Sequence, residues 1–539
     1  MLNFFPAAEV ANRFLDAAAW VRGLTGWRRA MLAFLAGIGG ALSLAPVYIL
    51  PLLALSFPVL ILLIDGAAKL PRPRRSAFAV GWWFGFGYFL AGIYWMAFSF
   101  LVQADQFAWM APFAMTILPA GLALFAGAAC LVSQIFWRSG WERIFLFAVI
   151  FAVFEYLRGH ILTGLPWNLT GQALAGSAMG AQTAAWWGAY GLSLVTLVLA
   201  SAPAAGLYTG ASLRRVFAGF GVAVLGAAVL FAIGAVRLGG ETIEPAPQAF
   251  VRIVQPNINQ RDKINPDKWS DNFYRQLELS KGDAPDGASL YVIWPENGAP
   301  LLDEATGALD LLAQDLPKGS VLIAGAVRRE YDDGPERAVR FYNSIAIIPD
   351  GEGTRKAERF YDKSHLVPFG EYLPFYGLLN AIGLAQLTPY GDAGFASGDG
   401  PSVIEGFGPA FAPLICYEAI FPGALYPRGE RPRWLVTVTN DAWFGDTSGP
   451  RQHLDMARLR AIEAGLPMAR AANTGISAVI DAKGRILSRV NLYEAGRIDA
   501  PIPPALAQTL YDWFGDMAFF GLAAAFLLAG FWRNLFSRV

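Results

Sequence analysis

Long apolar stretches with almost no charge constrain this chain more than any other feature of its sequence. Between Ser76 and Trp137, Asp105 is the only Asp, Glu, Lys or Arg residue. A helix of about 20 apolar residues is long enough to cross the hydrocarbon core of a bilayer. The hydrophobic share of 55% over 539 residues agrees with this pattern. The sequence therefore predicts an integral membrane protein.

Eight apolar stretches predict a bundle of transmembrane helices. Their approximate positions are 31–46, 48–65, 77–101, 109–136, 142–158, 184–207, 215–237 and 515–532. A long segment of ordinary globular composition, sufficient for one substantial core, separates the seventh stretch from the eighth. We therefore predict a membrane domain at 1–238, a large polar domain at 239–512, and a last transmembrane helix with its cytoplasmic tail at 513–539.

Basic residues in the short loops predict the orientation, because Lys and Arg collect on the cytoplasmic side of a membrane. They precede the first stretch or follow the second, fourth, sixth and eighth: Arg28, Arg29, Lys69, Arg72, Arg74, Arg75, Arg138, Arg143, Arg214, Arg215, Arg533 and Arg538. The alternate loops at 102–108 and 159–183 contain no Lys or Arg. The polar domain is therefore predicted to be extracytoplasmic. We expect no cleaved signal peptide.

The charge balance argues against a nucleic-acid partner, and the positions of the two cysteines argue against a disulfide. A formal net charge of zero argues against nucleic acid as a partner, because no basic stripe is present to neutralise phosphates. Cys130 lies inside an apolar stretch and Cys416 in the polar domain, so a disulfide between them is not expected. Cys416 is therefore predicted to be a free thiol.

Strand-like and helix-like segments alternate in the polar domain. Short β-branched or apolar runs bounded by turn residues predict strands at 251–254, 290–293, 321–326, 344–348, 410–415 and 434–439. Helical periodicity separates several of them, at 268–281, 304–314 and 451–464. This order predicts an α/β domain with a largely buried sheet.

Three polar residues, Glu296, Lys363 and Cys416, follow strand-like runs. Open α/β sheets usually place their functional sites at such positions. Glu296 ends the run Tyr-Val-Ile-Trp-Pro-Glu, in which Trp294 and Pro295 would partly desolvate the carboxylate and favour its action as a general base. Alternatively, Glu296 is a surface residue or caps a helix.

Lys363 lies in a loop rich in aromatic residues, proline and glycine. A fixed positive charge there could stabilise a tetrahedral oxyanion. His365 is an alternative base, although a lone histidine in a loop is more often structural. Glu371 is either a second carboxylate beside Glu296 or part of the N-cap of a following helix.

Cys416 lies in the segment Pro-Leu-Ile-Cys-Tyr-Glu, where a predicted strand runs into a helix-like segment. A sharp strand-to-helix turn would expose the thiol and direct backbone N–H groups toward it. The alternative is an inert buried cysteine, which is the commoner environment of a free cysteine.

Taken in order, the Glu, Lys and Cys segments resemble the nitrilase (carbon–nitrogen hydrolase) superfamily. The resemblance covers most of 240–510, including Asn-Asp-Ala-Trp-Phe at 440–444 and the segment 470–475. It implies an α-β-β-α sandwich and acyl chemistry through a cysteine thioester or thioimidate.

Nearly the whole chain resembles the bacterial apolipoprotein N-acyltransferase family, through the motifs at 164–168, 254–258, 294–296 and 363–372 and through the domain order. Many members carry Trp directly after the lysine that matches Lys263, whereas Ile264 follows here and the next tryptophan is Trp269. The role of an aromatic residue at that site is therefore not carried over to Trp269.

The family resemblance implies transfer of an acyl chain from a phospholipid to the α-amine of S-diacylglyceryl-cysteine in lipoproteins. Glu296 would be the base, Lys363 the oxyanion partner and Cys416 the nucleophile. The matching supporting residues are Glu371, Tyr417 and Glu418. We expect no metal and no cofactor, a monomer, and a location in the bacterial inner membrane with the catalytic domain on the periplasmic side.

Candidate substrate contacts are Trp443, Phe444 and Tyr390, with the apolar segment 375–387 as either a lid or ordinary core. Glu155 and Arg158, in the fifth stretch, are expected to pair with each other or with a lipid head group. A membrane-anchored amidase or other hydrolase is the main alternative activity. A non-catalytic lipid-binding or transport protein is disfavoured, because all three catalytic residue types are present.

Overall fold

The apolar part of the chain is helical in the computed structural model. Its helices are α1 (Ala7–Gly23), α2 (Gly26–Ala41), α3 (Leu53–Ala67), α4 (Pro73–Ile93), α5 (Ala104–Phe107), α6 (Ala111–Ile135), α7 (Trp141–His160), α8 (Ala184–Ser201) and α9 (Leu213–Gly239). Short 3₁₀ helices extend or connect them at Leu50–Leu52, Tyr94–Leu101, Ala108–Met110, Thr170–Gly176 and Ala202–Gly206.

The chain divides into two units. The first comprises Met1–Gly240 with Thr509–Val539, and the second comprises Glu241–Gln508. The structure describes residues 7–138, 140–208, 211–240, 248–283, 289–300, 306–331, 338–351, 354–374, 376–377, 394–423 and 425–536.

Five helical segments among the described residues are long and apolar enough to cross a membrane. They are Leu50–Ala67, Pro73–Leu101, Ala104–Ile135, Ala184–Gly206 and Leu213–Gly239. Each corresponds to one of the predicted stretches. The stretches at 31–46, 142–158 and 515–532 also fall on helices, but α2 has only 16 residues and α7 carries charged residues near both ends. That these three stretches cross the membrane stays a prediction.

Small residues allow helices α4 and α6 to approach each other closely. A side chain at Gly81 would collide with the carbonyl oxygen of Ala126 and with Sγ of Cys130. Close approach of this kind is how helices associate within a membrane, where lipid supplies no hydrophobic driving force between them. Cys130 is fully buried at this contact.

Buried charges in the first unit bond to the protein itself. Arg143 pairs with Asp65 at 2.7 Å between Nη1 and Oδ2. Glu155 accepts hydrogen bonds from the backbone and the hydroxyl of Thr170. Arg158 donates to the carbonyl oxygens of Leu165 and Trp167. Glu155 and Arg158 thus fix the segment that follows α7, and their pairing with each other or with a lipid head group stays a prediction.

The second unit consists of two main sheets and their covering helices. Its strands are β1 (Ala249–Gln255), β2 (Ser289–Pro300), β3 (Val321–Tyr331), β4 (Ala338–Ile348), β5 (Asp350–Gly351), β6 (Thr354–Arg355), β7 (Arg359–Asp362), β8 (Phe411–Ile415), β9 (Trp434–Thr439), β10 (Met468–Ala472), β11 (Ser477–Ile480), β12 (Ile486–Val490) and β13 (Gly496–Pro501). Its helices are α10 (Gln260–Ile264), α11 (Trp269–Ser280), α12 (Thr306–Asp315) and α13 (Ser448–Ala464). The chain then continues into α14 (Leu510–Phe514) and α15 (Met517–Phe536) of the first unit.

The strand order is β13-β1-β2-β3-β4-β7 in one sheet and β12-β11-β10-β9-β8 in the other. The central pairs β1–β2, β2–β3, β8–β9 and β9–β10 are parallel. Because the carboxyl ends of parallel strands share one edge of a sheet, the residues after β8 and β9 lie at the same edge of the second sheet. Glu296 lies within β2 of the first sheet.

The hydrophobic core lies between the two sheets. Ile253 and Ile293 of the first sheet pack in one buried cluster with Ile415 and Val436 of the second. Helices α11 and α12 cover the outer face of the first sheet, and α13 covers the outer face of the second. The four layers are therefore helix, sheet, sheet and helix, which confirms the predicted α-β-β-α sandwich.

Candidate active site

Cys416 occupies a strained turn at the end of β8. Its backbone φ is +49°, a left-handed conformation that is uncommon for any residue other than glycine. A 3₁₀ helix, Cys416–Ile420, begins at the cysteine itself. The residue is only partly buried, so the turn presents the thiol at the edge of the sheet. Strain of this kind concentrates at functional sites.

Glu418 fixes this turn to the loop that carries Lys363. Its Oε2 accepts a hydrogen bond from the backbone N–H of Ile415 at 2.8 Å. Its Oε1 accepts from the backbone N–H of Ser364 and from the hydroxyl of Tyr361, both at 2.8 Å. The buried carboxylate thus connects the two segments that bear the candidate nucleophile and the candidate oxyanion partner.

Lys363 and two carboxylates form a buried ion cluster. Its Nζ lies 2.8 Å from Oε2 of Glu371 and 3.7 Å from Oε1 of Glu296. Lys363 is 1% exposed and Glu296 is 6% exposed. The structure therefore brings together the base and the cation that were predicted separately from the sequence, with Glu371 as the second carboxylate.

Asn343, on β4, joins the two carboxylates and was not predicted. Its Nδ2 donates to Oε1 of Glu296 and to Oε1 of Glu371, at 2.7 Å in each case. The backbone carbonyl of Asn343 also accepts a hydrogen bond from the N–H of Lys363 at 2.8 Å. One residue thus holds three members of the cluster in place.

The charges of the cluster act on the thiol. Burial raises the pKa of the Cys416 thiol, and the negative charge of Glu296 raises it further, while Lys363 opposes both. Burial disfavours the Lys363 ammonium, but the carboxylates of Glu371 and Glu296 outweigh it and hold the pKa of Lys363 above its usual value. The thiol is therefore protonated at rest, and nucleophilic attack requires a base to take its proton.

A second lysine, Lys263 on α10, also reaches the site. Its Nζ donates to the backbone carbonyl of Glu296 at 2.5 Å. Burial lowers the pKa of Lys263 to about 8, against the opposing effects of Glu296 and Cys416. Ile264, which directly follows the lysine, is 37% exposed, and Trp269 is 38% exposed.

A further group of charged side chains lies behind the cysteine. His453 on α13 contacts the backbone carbonyl of Cys416 and the carboxylate of Asp441, which in turn binds Arg470. The sequence offered two signals, since Asp441 belongs to the Asn-Asp-Ala-Trp-Phe motif and Arg470 begins the matching segment 470–475. His453 lies in a predicted helix, and a single histidine in a helix does not by itself indicate a functional role.

The remaining predicted residues have these positions. Tyr417 is buried and its ring meets Phe421 edge to face, with 5.1 Å between centroids. His365 stacks on Phe421 at 3.8 Å. Trp443 and Phe444 are half-buried and follow β9, the neighbour of β8. Tyr390 and nearly all of the segment 375–387 lie outside the described residues.

Comparison with known proteins gives two family matches. Residues 18–202 match the apolipoprotein N-acyltransferase N-terminal domain. Residues 250–512 match the carbon–nitrogen hydrolase family. The match to the hydrolase family agrees with the sandwich described above, and the first match covers most of the apolar helices.

Similar proteins match nearly the whole chain. A protein of Rhodopseudomonas palustris is 41% identical over 500 residues, which covers 91% of this chain and 92% of the relative. A protein of Bradyrhizobium diazoefficiens is 40% identical over 521 residues, which covers 95% of this chain and 96% of the relative. A protein of Brucella melitensis is 42% identical over 497 residues, which covers 89% of this chain and 91% of the relative. All three carry the name apolipoprotein N-acyltransferase.

Proposed function

The chain belongs to the apolipoprotein N-acyltransferase family, and we propose that Cys416 carries the acyl group between its two substrates. The donor is a phospholipid and the acceptor is the N-terminal amine of S-diacylglyceryl-cysteine in a lipoprotein. One observation carries the assignment of the site: Cys416, in a strained and partly exposed turn, lies within electrostatic range of the buried pair of Glu296 and Lys363.

The first half-reaction forms a thioester. Glu296 accepts the proton of the Cys416 thiol as the sulfur attacks the ester carbonyl of the phospholipid. The ammonium of Lys363 stabilises the negative charge that develops on the carbonyl oxygen. When the tetrahedral intermediate collapses, the C–O bond breaks and protonated Glu296 returns its proton to the leaving lysophospholipid alcohol.

The second half-reaction forms the amide. The free amine of the lipoprotein attacks the thioester carbonyl, and Glu296 accepts a proton from the nitrogen. The C–S bond breaks, the Cys416 sulfur leaves and is reprotonated by Glu296, and the acyl chain remains on nitrogen. Because the lysophospholipid is released before the lipoprotein reacts, the kinetics are ping-pong.

Other residues support this chemistry. Glu371 pairs with the ammonium of Lys363, and Asn343 orients Glu296 and Glu371 by donating a hydrogen bond to each. Glu418 and Tyr417 belong to the turn that presents the thiol. Trp443, Phe444 and Tyr390 are proposed to contact the lipid substrates.

A membrane location suits these substrates. Moving an acyl chain from the bilayer into water costs about 0.8 kcal/mol per CH₂ group, so the thiol must work at the membrane surface. We propose eight transmembrane helices in the domains 1–238 and 513–539, and a catalytic domain at 239–512 on the periplasmic side of the bacterial inner membrane. The loop charges support this orientation, since the positive clusters fall on alternate loops. The enzyme is proposed to act as a monomer.

Intact-protein mass spectrometry tests the function. The full chain in detergent is incubated with phospholipid vesicles and then with a diacylated lipopeptide. We expect one acyl adduct that disappears when the lipopeptide is added, with appearance of the triacylated product. Cys416→Ala should acquire no adduct, whereas the matched control Cys130→Ala should behave like wild type.

Three outcomes would contradict the proposal. An adduct on Cys416→Ala would show that another residue is the nucleophile. The absence of both adduct and triacylated product in wild type would reject the transferase assignment. Release of free fatty acid without acylation of the lipopeptide would favour a hydrolase.

A further inference from the structure

Three charged side chains are buried behind the backbone of Cys416, and the proposed reaction uses none of them. Asp441 begins the 3₁₀ helix after β9, His453 lies on α13 and Arg470 lies on β10. Their exposed fractions are 1%, 1% and 0%. Charged groups are rarely buried unless they are paired, so a group contributed by three separate elements needs an explanation.

Hydrogen bonds connect these side chains to the cysteine. Nε2 of His453 lies 3.1 Å from the backbone carbonyl oxygen of Cys416. Nδ1 of His453 lies 2.9 Å from Oδ1 of Asp441. Nη2 of Arg470 donates to Oδ2 of Asp441 at 2.9 Å and lies 3.3 Å from Nδ1 of His453.

The neighbours of His453 hold its ring in one orientation. A carbonyl oxygen only accepts hydrogen bonds, so Nε2 of His453 donates to the Cys416 carbonyl. Nδ1 faces Oδ1 of Asp441, and the other oxygen of that carboxylate accepts from Arg470. Although burial opposes it, the contacts with His453 and Arg470 hold the pKa of Asp441 below its usual value.

The carbonyl that His453 contacts belongs to the strained residue. A left-handed backbone at a residue other than glycine persists only where the surroundings hold it in place. Glu418 binds the N–H of Ile415 on one side of Cys416, and His453 binds the carbonyl on the other. The backbone of the nucleophile is therefore held on both sides by buried charged groups.

We propose that His453 is a positioning residue, which holds the Cys416 carbonyl and thereby the thiol in the orientation for attack, while Asp441 and Arg470 orient its ring. The inference rests on the proposed role of Cys416 as the nucleophile. It assigns a catalytic purpose to a buried ion cluster that would otherwise serve only stability.

Two substitutions of His453 separate this role from a structural one. In His453→Gln the amide nitrogen reaches about the place of Nε2 and can still donate to the Cys416 carbonyl. In His453→Asn the amide nitrogen reaches only the place of Nδ1, so the contact with Asp441 is kept and the carbonyl is left without this donor. Both variants carry a neutral amide, so they differ mainly in the bond to Cys416.

The measurements are kcat and KM for lipopeptide acylation, the single-turnover rate of acyl-enzyme formation, and Tm in detergent. A small misplacement of a reacting group can reduce the rate by a factor on the order of 100. We therefore expect His453→Asn to lower kcat and the acylation rate about 10- to 100-fold with nearly unchanged KM. His453→Gln should restore the rate to within about fivefold of wild type, since the positioning bond returns.

The proposal is overturned if His453→Asn acylates at the wild-type rate. It is also overturned if both variants lose the same activity and that loss parallels their fall in Tm. Should neither variant fold, Asp441→Asn decides. It weakens the acceptor that orients the His453 ring, so kcat should fall, and a wild-type kcat overturns the proposal. Failure of the nucleophile assignment is recognised separately, because only then does Cys416→Ala still form the adduct.

Discussion

Asn343 offers a direct test of the carboxylate cluster. It is 1% exposed and donates to Glu296 and Glu371 at 2.7 Å. Asn343→Leu keeps the approximate size of the side chain and removes both bonds. A hydrogen bond to a charged group contributes about 1.5–3 kcal/mol. If the bond to Glu296, the proposed base, acts in the transition state, its loss corresponds to a roughly 10- to 100-fold fall in kcat.

Asn343→Asp tests the sign of the interaction. It places a third carboxyl group against two others, and burial with like charges raises the pKa of the introduced group. When ionised, this group repels Glu296 and Glu371; when protonated, its hydroxyl can donate one hydrogen bond. Activity should therefore be lower than in Asn343→Leu at pH 8 and should recover relative to it as the pH falls toward 6.

The assay is single-turnover acylation of the full-length enzyme in detergent, followed by intact mass over this pH range. Wild type and Cys130→Ala serve as references, and Tm is measured for each variant to identify loss of folding. Equal rates for the two Asn343 variants at every pH would refute the electrostatic reasoning. A wild-type rate for Asn343→Leu would refute the importance of the bridge itself.

Three further predictions concern the neighbouring groups. Lys363→Met should lower kcat on the order of 100- to 1000-fold with a small change in KM, as expected for loss of an oxyanion partner. If the lysine served only to bind substrate, steady-state kinetics would instead show a raised KM and a nearly unchanged kcat. Glu418→Gln should lower both Tm and the acylation rate, because a neutral amide cannot accept from Ile415, Ser364 and Tyr361 equally well; an unchanged rate would contradict its role in the turn. Burial lowers the pKa of Lys263 to about 8, so between about pH 8 and 10.5 this lysine binds fewer protons in the folded state than in the unfolded state. The Tm of wild type should therefore rise relative to that of Lys263→Met as the pH increases above 8. A difference in Tm that does not change with pH would contradict this prediction.

The sequence predicted the parts of the site that end strands. Lys363 and Cys416 follow the strands β7 and β8, whereas Glu296 lies inside β2, which continues to Pro300. The strands belong to two sheets, so the proximity of the three residues depends on how the sheets pack, which local sequence patterns do not predict. Asn343 was missed because the predicted strand 344–348 was too short, since β4 begins at Ala338 and contains this residue. His453 was missed because periodicity shows that a residue is on a helix but not which neighbour it meets.

The weaker strands were missed for a different reason. Strand β10 reads Met-Ala-Arg-Ala-Ala, which contains no β-branched residue, yet it is fully buried between β9 and β11. Its conformation is set by its two neighbours rather than by its own propensity. Hydropathy likewise predicted apolar helices well, but α7, with Glu155 and Arg158 buried inside it, shows that packing determines where a charge is tolerated.

The protonated state of Cys416 has a consequence for the survival of the enzyme. Oxidants and small disulfides react with thiolates, and a thiol with a raised pKa offers them little thiolate. An oxidising compartment such as the proposed periplasm would rapidly inactivate a permanently ionised cysteine. In the proposed mechanism Glu296 deprotonates the thiol only at the moment of attack, so the sulfur stays unreactive between turnovers. An enzyme without substrate should therefore resist peroxide far longer than its catalytic rate suggests.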